Sequence, residues 1–150
     1  MTSAIAANNP IGRRDRLGRS SSITFVSTYG NIEQYIAGAT LSGHRIVIAD
    51  PATGKAIYAQ HNDNTHAHAA FKLTLQAAAL DDPVEVKLFG RVTEGSWAWT
   101  PGATLYLKAD GQLTEIIPTT GVGATFSRPV AVAETATRIL LLQHPPIILV

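Results

Sequence analysis

The densest group of chemically capable side chains is one octapeptide, His61-Asn62-Asp63-Asn64-Thr65-His66-Ala67-His68. Imidazole nitrogens and carboxylate oxygens are common ligands of divalent metals. In an extended segment His66 and His68 share a face, and His61 or Asp63 would supply a third ligand. The segment is also Asn-rich and loop-like, and His44 and His144 stand alone elsewhere in the chain. The reading is therefore solvated loop histidines, or one orienting a turn, with His61, His66 and His68 as the metal alternative and no cofactor expected. Zero cysteines exclude disulfides, thiolate catalysis and zinc-thiolate sites.

Carboxylates offer less. Asp81-Asp82 precedes Pro83 and reads as a turn. Glu94, just before Gly95-Ser96-Trp97, is the best-placed single acid, but glycoside hydrolysis needs a carboxylate pair at a set separation. Gly121-Val122-Gly123 lacks the lysine and the strand-to-helix context of a phosphate-binding loop. No serine sits in a nucleophile elbow. The chain is read as non-enzymatic. Trp97 and Trp99, at i and i+2, face the same way if their segment is a strand. Exposed, they would form a platform for sugar rings and make a host glycan a partner. Buried, they belong with Pro101 to the domain core or a subunit contact, which is the preferred reading.

The elements that would position these residues are strands. Phe71, Leu73 and Leu75 alternate with Lys72 and Thr74, and Val84, Val86 and Leu88 alternate with Glu85 and Lys87. Period two places each apolar set on one face and the charges in water. Ile23–Tyr29 and Arg45–Ala49 are rich in β-formers, and Asp50-Pro51-Ala52-Thr53-Gly54 is a turn leading to a return strand at Ala56–Ala59. Residues 31–37 fit a helical turn or a strand, and 75–82 a brief helix. Leu105 and Leu107 lead to the Asp110-Gly111 turn, with Leu113–Ile117 running back. Short strands are expected at Ala131–Ala133, Arg138–Leu142 and Ile147–Val150. Turn signals recur at the spacing of sandwiches and barrels. The expected fold is all-β, a small antiparallel β-barrel or sandwich with an extended, poorly structured N-terminal arm.

Charge divides the chain into that arm, residues 1–22, and a β-domain, residues 23–150. Arg13, Arg14, Arg16 and Arg19 against Asp15 alone give the arm +3, leaving −2 for the rest of a +1 total. Few large apolar residues lie in the arm, so it cannot offset its own ordering entropy. Docking on an acidic protein surface suits it better than nucleic acid, since no aromatics interleave the arginines. The 150 residues are 45% hydrophobic, but 22 of the apolar residues are alanines, and only 15% are charged. Such a composition suits a chain that lives beside other chains. The bulky run Ile139–Leu142 falls far short of the roughly 20 residues that span a bilayer. No charged-then-apolar leader opens the sequence, so neither membrane insertion nor secretion is expected.

One resemblance emerges from the order of motifs. Leu41-Ser42-Gly43-His44-Arg45-Ile46-Val47, Gly54-Lys55-Ala56-Ile57-Tyr58-Ala59, His68-Ala69, Trp97-Ala98-Trp99-Thr100-Pro101-Gly102 and Asp110-Gly111-Gln112-Leu113-Thr114 follow in sequence. Pro129–Ala133, Thr137–Leu140 and Pro145–Leu149 continue the series. Together they resemble a small β-domain of tailed-bacteriophage virion proteins, found in capsid decoration (cement or head-fibre) proteins and at the ends of tail or collar fibres. The likeness covers about residues 37–150, and the Trp-x-Trp-x-Pro-Gly element is its most specific part. Ala70 and Thr74 stand where related domains often have glycine. The resemblance implies a non-enzymatic virion component on the capsid surface, assembled in the host cytoplasm as a homo-oligomer, a trimer first and a dimer next. The major capsid protein is the implied partner, docked through Arg13, Arg14, Arg16 and Arg19.

Overall fold

A computed structural model describes residues 31–150, so the arm with its four arginines and the expected strand at 23–29 lie outside the described residues. Twelve strands and no α-helix make up the described chain, joined by three single 3₁₀ turns. No helix among the described residues is long and apolar enough to cross a membrane.

Each half of the chain builds one antiparallel sheet. β1 (Ile32–Ile36), β2 (Ile46–Ala49), β3 (Ala56–Tyr58), β4 (Lys72–Thr74) and β5 (Pro83–Lys87) form the first, in the order β1-β5-β4-β2-β3. β6 (Gly90–Thr93), β7 (Thr104–Leu107), β8 (Leu113–Thr114), β10 (Pro129–Thr135) and β11 (Arg138–Leu141) form the second, in the order β6-β11-β10-β7-β8. β9 (Phe126–Ser127) pairs with β12 (Ile147–Ile148) in a two-stranded ribbon. The fold is all-β; the sheets do not close into a barrel, and the arrangement is that of two sheets facing across a shared core.

That core takes Ile46, Ile48 and Leu73 from the first sheet and Val92, Leu105, Leu107, Ile139 and Leu141 from the second, with Phe126 fully buried among them. A register shift between Pro129 and Ala131 lets two consecutive residues, Val130 and Ala131, join it. A second, smaller core of Ala37, Leu41, Val47, Ala56, Val84 and Val86 covers the other face of the first sheet. Here residues 41 and 78 bridge antiparallel, which lays the segments flanking β1 and β4 over that face. Burial on both faces explains why the whole Ile46-Val47-Ile48 run is apolar.

The double covering also corrects the expectation for β4. Lys72 and Thr74 are buried rather than in water. Lys72 Nζ donates to the Ala70 carbonyl at 3.1 Å and lies 5.3 Å from the Tyr35 ring centre. Burial lowers its pKa from the usual lysine value, and Glu33 partly opposes that. The Thr74 hydroxyl accepts from Arg45 N–H at 3.0 Å and donates to the Ser42 carbonyl at 2.8 Å. Period two correctly separates the faces, but the second core makes both of them dry.

Elsewhere residues 31–37 resolve to strand rather than a helical turn, and 75–82 forms no helix. The run after Gly111 pairs only at Leu113–Thr114, shorter than the expected Leu113–Ile117. Both predicted turns are present: Gly54 has φ +75°, and Asp110 and Gly111 have φ +55° and +69°. The latter pair is the left-handed combination that Asp-Gly favours in tight hairpins.

Candidate functional site

An open cleft of about 310 Å³ lies where the two sheets meet, lined by Gly43, His44, Arg45, Glu94, Ser96, Trp97, Trp99, Gln112 and Leu113. Three separate stretches of chain build it. Residues 43–45 lead into β2, 94–99 leave β6, and 112–113 open β8.

Each stretch is tied down locally. The Glu94 carboxylate accepts from the Ser96 N–H at 3.2 Å and the Ser96 hydroxyl at 2.7 Å, closing the turn after β6. These bonds hold the Glu94 pKa below the usual carboxylate range, with nearby His44 adding to the effect. Trp97 N–H donates to the Glu94 carbonyl, and Trp99 N–H to the Ala136 carbonyl at 2.9 Å, anchoring the tryptophan segment to the β10–β11 turn. His44 N–H donates to the Thr74 carbonyl at 2.8 Å. His44 has φ +58°, left-handed backbone for a non-glycine residue. Such conformations cost about 1–3 kcal/mol and persist where the surroundings impose them.

The two indoles lie 6.1 Å apart between ring centres and tilt by 52°. The His44 ring meets Trp97 edge-on at 5.3 Å, and His44 Nδ1 is 3.8 Å from Glu94 Oε1. Trp97 and Trp99 are half-buried, with one side against the main core. Their segment is irregular rather than a strand. Trp99 Nε1 is buried without a hydrogen-bond partner among the described residues. Pro101 is exposed and takes no part in the core.

The sheets hold the cleft walls together through the Asp110-Gly111 turn. Arg45 Nη1 donates to the Asp110 carbonyl at 3.0 Å. The Gln60 amide donates to Asp110 Oδ1 at 2.7 Å and accepts from Asp110 N–H at 2.9 Å. Gly111 N–H donates to the Ala59 carbonyl at 2.9 Å. Gln112 follows directly and lines the cleft.

No protein-family model, curated protein or solved structure matches the chain.

Chemically, the cleft is equipped for binding. It presents aromatic surface, one carboxylate, one guanidinium, an imidazole, a hydroxyl and an amide. Glu94 is the single carboxylate on its lining, and the Ser96 hydroxyl donates to it.

The histidine octapeptide is put to other uses. Among the described residues no three His, Asp or Glu side chains gather as a metal site. Asp63 caps the 3₁₀ turn at 64–66, accepting from the Thr65 N–H at 2.9 Å and its hydroxyl at 2.6 Å. His66 is buried and its Nδ1 accepts from the Gln60 N–H at 3.0 Å. His68 is exposed. His61 is 6% exposed, so it is no solvated loop residue, and its Nδ1 lacks a partner among the described residues. Burial, and then Lys108, lower the His61 pKa. The unfolded chain therefore binds the proton more readily than the folded one. Stability from this group is complete above the ordinary histidine range and is lost as pH falls below it. Thermal melts between pH 8 and pH 5 are expected to show falling Tm toward acid, and His61→Gln is expected to flatten that slope.

Sequence reading missed His44, Arg45 and Gln112 as site residues because each is unremarkable among its neighbours. It also missed Arg128. That guanidinium is 5% exposed, donates from Nη1 to the Ala67 and Ala69 carbonyls at 3.0 and 2.6 Å, and lies 3.8 Å over the Phe71 ring.

Proposed function

We propose that this chain is a non-enzymatic structural protein of a bacteriophage particle, a capsid decoration protein that binds the outer face of the major capsid protein. The observation that carries the reading is a convergence. Three of the motifs on which the phage resemblance rests, at 41–47, 97–102 and 110–114, meet at one junction between the sheets. Motifs far apart in sequence that meet at one place support reading them as parts of one unit. The exposed surface is consistent with neighbours. Ile116, Ile117, Val122, Ile147 and Ile148 are all exposed, although β12 is paired through its backbone. Covering such residues in a homo-oligomer, a trimer before a dimer, would remove an aggregation hazard.

In this reading Arg13, Arg14, Arg16 and Arg19 pair with acidic groups of the shell, and the β-domain faces outward. A protein that binds only the assembled shell stabilises it by mass action, repeated at every site. Deleting residues 1–22 is expected to abolish binding to capsids while leaving the thermal melt of the domain unchanged. Retained full occupancy would sink the arm-docking model. Copy number in purified particles tests the location: hundreds of copies fit decoration, and a few would move the chain to a tail or collar fibre.

A further inference from the structure

We infer that the cleft beside Trp97 and Trp99 is a binding site for a neutral pyranose sugar, one or two rings in size. This goes beyond the virion role and does not depend on it.

The argument starts from the indoles. An aromatic face carries excess negative charge, and the C–H groups on one face of a pyranose ring are its natural complement. Both indoles keep one side on the core and line the cleft with the remainder, so their position is fixed before any ligand arrives. Preorganisation of this kind removes much of the ordering cost of binding. Sugar hydroxyls also need donors and acceptors within reach of the stacked ring. Glu94 supplies an acceptor, the Gln112 amide both functions, and His44 a ring nitrogen. The Ser96 hydroxyl, already donating to Glu94, retains acceptor capacity.

Charge and size narrow the class. Glu94 stays ionised at neutral pH, held so by Ser96, and repels a ligand carboxylate or sulfate. Arg45 balances its charge, with Nη1 donating to the Asp110 carbonyl and the guanidinium 5.6 Å from the centre of the Tyr58 ring. An anionic sugar therefore meets a carboxylate beside the one guanidinium on this lining, and a neutral one needs neither charge. A volume of about 310 Å³ sits at the small end of ligand sites, which suits a mono- or disaccharide rather than a long chain. The His44 ring lies edge-on against Trp97 at the cleft wall, which narrows the space further. A ligand of so few atoms in an open cleft binds with a dissociation constant on the order of millimolar.

The test uses the purified full-length chain without capsids, so its outcome is separate from that of the virion reading. Glucose, galactose, mannose, N-acetylglucosamine, maltose and lactose are titrated while tryptophan emission and heat are followed, with sialyllactose and glucuronate as anionic arms. Saturable binding of at least one neutral sugar is expected. Glu94→Gln and Gln112→Ala, both at positions outside the core, are expected to weaken it about tenfold with the melt preserved. Trp97→Ala is expected to abolish the emission change, and the other two variants remain decisive if it does not fold. Absence of saturable binding by every neutral sugar overturns the proposal. So does binding confined to the anionic sugars, or neutral binding that Glu94→Gln and Gln112→Ala leave unaltered.

Discussion

Gly111→Ala is expected to destabilise the fold by about 3–5 kcal/mol, a loss large enough to threaten folding altogether. Two costs combine. Gly111 has φ +69°, where any other residue pays a backbone penalty of about 1–2 kcal/mol. In addition, a Cβ at this position would lie 2.3 Å from the Ile46 carbonyl oxygen and 3.0 Å from Ile46 N. Those are backbone atoms of a central strand, so no side chain can swing aside. The sheets would have to separate at the point where Gly111 N–H reaches the Ala59 carbonyl and where Ala59 N–H reaches Ile46. Gly102 provides the internal control. Its φ is +87°, but an added Cβ meets nothing within 4 Å. Gly102→Ala is therefore expected to cost only about 1–2 kcal/mol. Urea denaturation of the two variants separates strain from collision, and equal losses would show that the Ile46 contact is not the cause. A partly folded Gly111→Ala protein is also expected to lose any ligand affinity of the cleft, because Arg45 and Gln112 flank the displaced contact.

Arg128→Met is expected to cost about 2–4 kcal/mol, although it retains a long apolar stem in the core. Replacing a buried charge by an apolar residue is often harmless when its partner is removed too. Here the partners are main-chain carbonyls of Ala67 and Ala69, which remain behind. Ala67 is buried, so its carbonyl would be left without a donor in a dry place. The guanidinium also donates from Nη2 to Gln143 Oε1 at 3.2 Å, and Gln143 Nε2 donates onward to the Phe71 and Leu88 carbonyls. One side chain thus clasps the 61–70 loop, Phe71 and the C-terminal segment together. Arg128→Lys is expected to recover little. An ammonium has no planar face to lay over Phe71 and no second nitrogen to reach Gln143 Oε1 while serving the two carbonyls. Denaturant midpoints and limited proteolysis within residues 61–70 measure both effects. A melt for Arg128→Met indistinguishable from the parent would show that the loop holds without its clasp.

Much of the local order was legible. The Asp50–Gly54 turn and its hairpin, the Asp110-Gly111 reversal, and the alternation in β5 and β7 rest on interactions between near neighbours. Such interactions write themselves into spacing and residue type. Misreadings fell where a distant segment changed the environment of a local pattern. Lys72 and Thr74 occupy the polar phase of a normal alternation, yet Tyr35 and residues 41–45 cover them. Asp63 and His66 have the types of metal ligands, yet Thr65 and Gln60 engage them first. Nothing in the residues around Arg128, which precedes Pro129, marks it as buried. Only three-dimensional proximity to two unsatisfied carbonyls makes it interior.

The sequence by itself therefore determined an all-β chain, its punctuation, and the pairing of two tryptophans at adjacent odd positions. These follow from period and turn chemistry, which act over a few residues. Tertiary structure alone decided what lies beside those tryptophans. His44 and Gln112 are more than 60 residues apart in the chain and share no pattern. They line one cleft because Gly111, without a side chain, lets one sheet rest directly on the backbone of the other.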